Sequence, residues 1–155
     1  MSTLKTGDRA PGFRLESNRG AQSLDDYSGE WTVLYFYPKD NTPGCTKEAC
    51  NFRDAIPGYG AQVLGVSADD VLSHEGFAAE HSLPFPLLSD PGGEVAKRYG
   101  SYGEKTTPDG RTYRGVTRST FIIDPEGRVA EAMYNVNPDG HAEAVGEKLK
   151  ALRSA

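Results

Sequence analysis

The sequence predicts an α/β domain with a mixed central sheet, and three observations predict it. The run Trp31–Tyr37 is almost continuously β-branched and aromatic, as a strand buried on both faces requires. A helical segment and a second apolar strand follow at the short spacing of a βαβ unit, whose handedness makes that half of the sheet parallel. Later, two strand-like runs flank Asp124-Pro125-Glu126-Gly127. Asp first, Pro second and Gly fourth is the composition of a type I turn, so this half of the sheet is antiparallel.

Taken in order, Phe13-Arg14-Leu15-Glu16-Ser17 alternates apolar and polar residues and turns at Asn18-Arg19-Gly20. It resumes at Ala21–Leu24, which predicts a short N-terminal β-hairpin at the edge of the domain. Pro38 ends the central strand. A helix is expected from Pro43 to Ile56, with Thr42 as N-cap, Pro43 at the first helical position and Pro57-Gly58 as its stop. Gln62–Ser67 is the next strand, and a helix over 71–81 is entered through Asp69 and Asp70. Leu87-Leu88 is a short strand candidate, and Glu94–Tyr99 a short helix ending at Gly100. Ser119–Asp124 and Arg128–Tyr134 form the antiparallel pair. Ala142, Val145, Leu149 and Leu152 fall at spacings of three and four, marking an amphipathic last helix over 140–152. No repeat or linker divides the chain, so residues 1–155 are expected to form one domain.

A net charge of −5 supplies no basic patch for phosphate, which argues against a nucleic-acid partner. The longest apolar or aromatic run, Val33–Tyr37, is far too short to cross a bilayer, and the first residues lack the apolar core of a secretory signal. A cytoplasmic location with no membrane attachment is therefore the expectation. His74, His81 and His141 are expected on exposed helix surfaces. Asp69-Asp70 is read as a helix entry rather than a metal site, and Lys47 and Glu48 as an exposed helix side that tunes the nearby thiols at most.

Cys45 and Cys50 are the only cysteines, too few for a stapled scaffold and close enough to be reactive. On the predicted helix Cys45 is the third residue of the first turn, where backbone N–H groups lack helical partners and the macrodipole is positive. That field favours the thiolate, which is the nucleophilic form. Gly44 lets a small substrate approach the backbone closely. Cys45, Ala49, Phe52 and Ile56 share one stripe facing the sheet, whereas Cys50 is rotated about 140° away onto the polar side. Five helical residues separate Cα atoms by roughly 8.7 Å, and a disulfide needs about 4.4–6.8 Å. Either the thiols never pair or the helix unwinds locally. Four residues between the cysteines is not the two-residue spacing of a dithiol oxidoreductase. A zinc site would need two more soft ligands, and no metal or other cofactor is expected.

The string Phe36-Tyr37-Pro38-Lys39-Asp40-Asn41-Thr42-Pro43-Gly44-Cys45-Thr46-Lys47-Glu48-Ala49-Cys50 resembles the peroxiredoxins. It is most similar to their bacterioferritin-comigratory, or peroxiredoxin Q, branch. Gly7-Asp8-Arg9-Ala10-Pro11-Gly12-Phe13 and Arg118-Ser119-Thr120-Phe121-Ile122-Ile123-Asp124 extend the resemblance to both ends. Tyr102 stands where that branch is expected to have Trp. The resemblance implies a thioredoxin-like fold with flanking helices and an N-terminal extension. It also implies a peroxidase using Cys45 as the peroxidatic thiol and Cys50 as the resolving one. Thr42 would orient the peroxide, Pro38 would shield the site from water, and Arg118 would add a cation beside the Gly44 and Cys45 backbone N–H donors. A sulfenic acid on Cys45 would then condense to a Cys45–Cys50 disulfide recycled by thioredoxin or a similar dithiol, in a monomer. Two other readings are a protein disulfide oxidoreductase and a non-enzymatic redox sensor or chaperone.

Overall fold

The computed structural model describes residues 3–154; Met1, Ser2 and Ala155, the ends of the expected domain, lie outside the described residues. Thirteen elements are used here: β1 (Arg14–Leu15), β2 (Gln22–Ser23), β3 (Thr32–Phe36), α1 (Pro43–Ala55), β4 (Gln62–Ser67), α2 (Val71–His81), β5 (Leu87–Ser89), α3 (Glu94–Arg98), β6 (Tyr102–Thr106), β7 (Thr112–Val116), β8 (Ser119–Ile123), β9 (Val129–Met133) and α4 (His141–Arg153).

The central sheet has the order β5-β4-β3-β8-β9. β3 runs parallel to β4, and β4 to β5, as the βαβ spacing predicts. β8 is antiparallel to both β3 and β9, and the Gly127 N–H closes the turn onto the Asp124 carbonyl at 3.0 Å. All five residues of β3 are buried, which is why its sequence is apolar without alternation. Val33, Tyr35 and Tyr37 face one core with Ala49 and Phe52 of α1, Phe77 of α2, and Val145 and Leu149 of α4. Leu34 and Phe36 face a second core with Val95 and Tyr99 near α3 and Phe13 of the N-terminal segment. Helices thus flank a mixed sheet in an α/β fold of the thioredoxin-like kind.

The N-terminal hairpin is shorter than its sequence pattern, with two paired residues per strand. Its neighbours finish both sheet edges. Ser89 N–H donates to the Glu16 carbonyl at 2.8 Å beside β5, and Gly7 N–H donates to the Val129 carbonyl at 2.8 Å beside β9. Covered edges do not recruit further strands.

The hairpin β6–β7 has no counterpart in the sequence reading. Its ten residues are mostly exposed or half-buried and carry no alternating apolar signal, so the pattern on which the other strands rest is absent. The cue was in its turn, Thr107-Pro108-Asp109-Gly110, where Gly110 adopts φ +89° and Gly110 N–H donates to the Thr107 carbonyl at 2.9 Å.

Register places the candidate site. Phe36 pairs with Ser119, so Arg118, one residue before β8, stands level with Tyr37 at the carboxyl end of β3. The chain from that same end leads through Pro38–Thr42 into α1. Residues 45 and 118, distant in sequence, therefore converge where open α/β sheets hold their ligands.

Candidate active site

α1 runs unbroken through both cysteines, and both are free thiols. Cys45 is buried at 1 % exposure along with Ala49 and Phe52, so the predicted stripe does face the sheet. Cys50 is half-buried on the flank of the helix. An intact helix keeps the pair apart.

Thr42 has the extended backbone of an N-cap, and its carbonyl accepts the Thr46 N–H at 2.8 Å. Its hydroxyl does not cap. It donates instead to the Lys39 carbonyl at 2.8 Å, which tightens the preceding loop and leaves the first-turn amides uncapped by any side chain. The Gly44 and Cys45 N–H groups therefore remain available to a ligand.

Arg118 Nη2 donates to Cys45 Sγ at 3.3 Å, and its Nη1 donates to Glu48 Oε1 at 2.6 Å. A Cβ on Gly44 would lie 3.2 Å from Arg118 Nη2 and 3.6 Å from Pro138 Cγ. The missing side chain thus makes room for the arginine as well as for a substrate. The Arg118 side chain is 15 % exposed, and a cation this enclosed acts on its neighbours with little solvent screening. Pro38, half-buried, opens the loop that delivers Thr42 to the helix.

Three expectations need correction. Glu48 is fully buried rather than on an exposed helix side. It lies three residues from Cys45 and four from Phe52, on the margin of the buried stripe, and that spacing was the available signal. Burial pushes its carboxyl up to about 7, with the Arg118 charge and hydrogen bond opposing. Lys47 does lie outside, 2.5 Å from Asp139.

The second and third corrections concern His74 and His141, which are buried at 0 % and 6 % exposure, while His81 is half-buried. His141 lies 2.7 Å from the Thr120 hydroxyl with its ring edge-on to Phe52. Burial, and secondarily the Arg118 charge, lowers its pKa to about 4, so it is neutral at pH 7. His74 bonds to Asp40. Periodicity cannot reveal a buried histidine whose partner comes from a distant segment. Asp70 serves the helix entry, capping α2 by accepting the Ser73 N–H at 2.8 Å, whereas Asp69 does not: it accepts the Asp40 N–H at 2.8 Å and the Ser67 hydroxyl at 2.6 Å, tying the loop before α1 to the end of β4.

A nucleophilic thiol in the first turn of a helix, backed by a half-buried arginine and uncapped amides, defines a thiol-based redox enzyme. The model of the AhpC/TSA family matches residues 6–132. The chain is 41% identical over 155 residues to Peroxiredoxin Bcp of Bacillus subtilis strain 168, covering 97% of this chain and 96% of that one. Among solved structures it resembles a PrxQ cysteine mutant of Xylella fastidiosa with TM-score 0.91, 40% identity and 99% of each chain covered. It also resembles the Xanthomonas campestris bacterioferritin comigratory protein, studied for alkyl peroxide reduction, with TM-score 0.84, 40% identity and 90% of each chain covered. The chain belongs to the AhpC/TSA family and is a thiol-dependent peroxidase of its Bcp, or peroxiredoxin Q, branch.

Proposed function

We propose that the chain reduces hydrogen peroxide and organic hydroperoxides through Cys45, resolves the product through Cys50, and is recycled by thioredoxin or a similar dithiol. The observation that carries this reading is Arg118 Nη2 at 3.3 Å from a buried Cys45 Sγ in the first turn of α1. The thiolate attacks one peroxide oxygen, so an S–O bond forms as the O–O bond breaks. The departing oxygen, carrying the electron pair, takes up a proton and leaves as water or alcohol. Arg118 and the amides of Gly44 and Cys45 stabilise the developing negative charge. Thr42 orients the peroxide, and Pro38 limits water. Cys50 then attacks the sulfenic sulfur, releasing water and forming the Cys45–Cys50 disulfide. α1 must unwind between the cysteines for that bond to close.

The alkyl peroxide work on the Xanthomonas relative supports including organic hydroperoxides. Resolution within one chain supports a monomer working in the cytoplasm, where dithiol reductants are abundant. Among the described residues no helix is long and apolar enough to cross a membrane.

Stopped-flow titration of the reduced protein with peroxide tests the proposal. Cys45→Ser is expected to abolish peroxide consumption. Cys50→Ser is expected to retain one stoichiometric oxidation of Cys45 while losing efficient recycling by a dithiol. Substantial consumption by Cys45→Ser would overturn the assignment.

A further inference from the structure

The loop Pro38–Thr42 has one buried side chain, Asp40, at 4 % exposure. Its carboxylate accepts the Tyr37 hydroxyl at 2.6 Å on one oxygen. The other oxygen accepts the Ser73 hydroxyl at 2.8 Å and meets His74 Nδ1 at 2.7 Å. The second ring nitrogen of His74, Nε2, faces the Leu88 carbonyl at 3.0 Å. Burial by itself would raise the Asp40 carboxyl. The bonds from His74, Tyr37 and Ser73 outweigh it and hold the group below the usual carboxylate range. Asp40 is thereby an ionised anchor joining the loop to the first turn of α2.

Asn41, between that anchor and Thr42, adopts φ +65°, a conformation an L-residue keeps only when its neighbours fix it. Asp40 fixes one side through α2, and the Thr42 hydroxyl fixes the other through Lys39. Neither Asp40 nor His74 has a hydrogen bond to Cys45, Arg118 or Glu48. Their reach into the site is through the path of the loop.

We infer that Asp40 and His74 are a positioning pair for the peroxide pocket, holding the Pro38–Thr42 loop on α2 so that the Thr42 hydroxyl and the Pro38 ring stand correctly over Cys45. The inference rests on the reading of Cys45 as the peroxide-reacting thiol. The pair sets substrate geometry and leaves the thiol's own reactivity to Arg118 and α1. Reactions of Cys45 that do not use the pocket should therefore survive its loss.

The test compares two reactions of Cys45 in the full-length reduced protein, oxidation by hydrogen peroxide and alkylation by iodoacetamide. Both are followed on the tryptic peptide ending at Lys47, which separates Cys45 from Cys50. In Asp40→Asn and His74→Gln the peroxide rate constant should fall roughly ten- to a hundredfold while alkylation stays within about threefold, since small misplacements near a reacting centre cost that much. Peroxide rates near wild type, or both reactions falling together, would overturn the inference. Should those variants fail to fold, Ser73→Ala removes one donor to Asp40 and keeps the α2 cap, which uses the Ser73 backbone. A selective loss of the peroxide reaction supports the pair there, and an unselective or absent loss overturns it. A wild type whose Cys45 does not react with peroxide would instead defeat the underlying assignment.

Discussion

Along α1 the two cysteines occupy different media. The turn around Cys45 is enclosed by the sheet, Arg118 and the buried Glu48, with first-turn amides left uncapped. The flank that carries Cys50 is half-buried and edged by exposed polar groups, among them Lys47 and Asp54. One thiol is held in a preorganised electrostatic site, and the other stands half-buried on the polar flank. The division has a consequence for stability. Under the proposed cycle, a helix that serves both thiols cannot stay whole, and its first turns would open at modest cost, as mobile functional segments do.

The electrostatic site around Cys45 depends most on Arg118. Arg118→Met should lower the peroxide rate constant by about 10²–10³-fold, the usual effect of losing one preorganised donor. It should also destabilise the fold by leaving Glu48 without its partner. Adding Glu48→Gln should recover stability by removing the orphaned carboxyl without recovering rate. Parallel stopped-flow and thermal-melt measurements on the single and double variants separate the two effects.

Two buried titratable groups beside the site, Glu48 and His141, pull stability in opposite directions with pH. Glu48 has a folded value near 7 against 4.5 unfolded, so the folded state holds a proton that the unfolded chain releases. Its contribution is present below pH 4.5 and is lost as pH rises through about 7. His141 has a folded value near 4 against 6.5, so the unfolded chain takes up a proton that the folded state refuses. Its contribution is present above pH 6.5 and is lost as pH falls through about 4. The two oppose each other between pH 4.5 and 6.5, each on the order of 3 kcal/mol. Denaturant melts across that window should show stability rising with pH in Glu48→Gln and falling with pH in His141→Gln. A wild-type-like profile in both would remove these groups from the balance.

The smallest expected effect comes from Gly44→Ala. The added methyl would meet Arg118 Nη2 at 3.2 Å, a contact that a slight shift of the side chain relieves. The peroxide rate should fall by less than about tenfold, with stability nearly unchanged. A loss as large as that of Arg118→Met would mean that the guanidinium cannot shift without disabling the site.

Much of this was legible in the sequence because it is local. The apolar run of β3, the Thr42-Pro43 helix start, the stripe through Cys45 and Phe52, and the Asp124–Gly127 turn each carry their own physical signal. What was illegible depends on partners far along the chain. Arg118 before β8 looks like any surface charge until register sets it beside Cys45; only resemblance singled it out. Glu48 and His74 looked solvated because ionisable side chains usually are, and their burial depends on Arg118 and Asp40 arriving from elsewhere. The β6–β7 hairpin went unread because its faces are polar, although its turn residues marked it.

The most direct measurement is a tryptic map of the wild type after one equivalent of peroxide, taken from the monomer band of a non-reducing gel. Cleavage at Lys47 and Arg53 places Cys45 and Cys50 on separate peptides. Those two peptides should be joined by a disulfide, in a protein with less helix than the reduced form. Two unlinked peptides, or a link found only between chains, would contradict resolution within the chain.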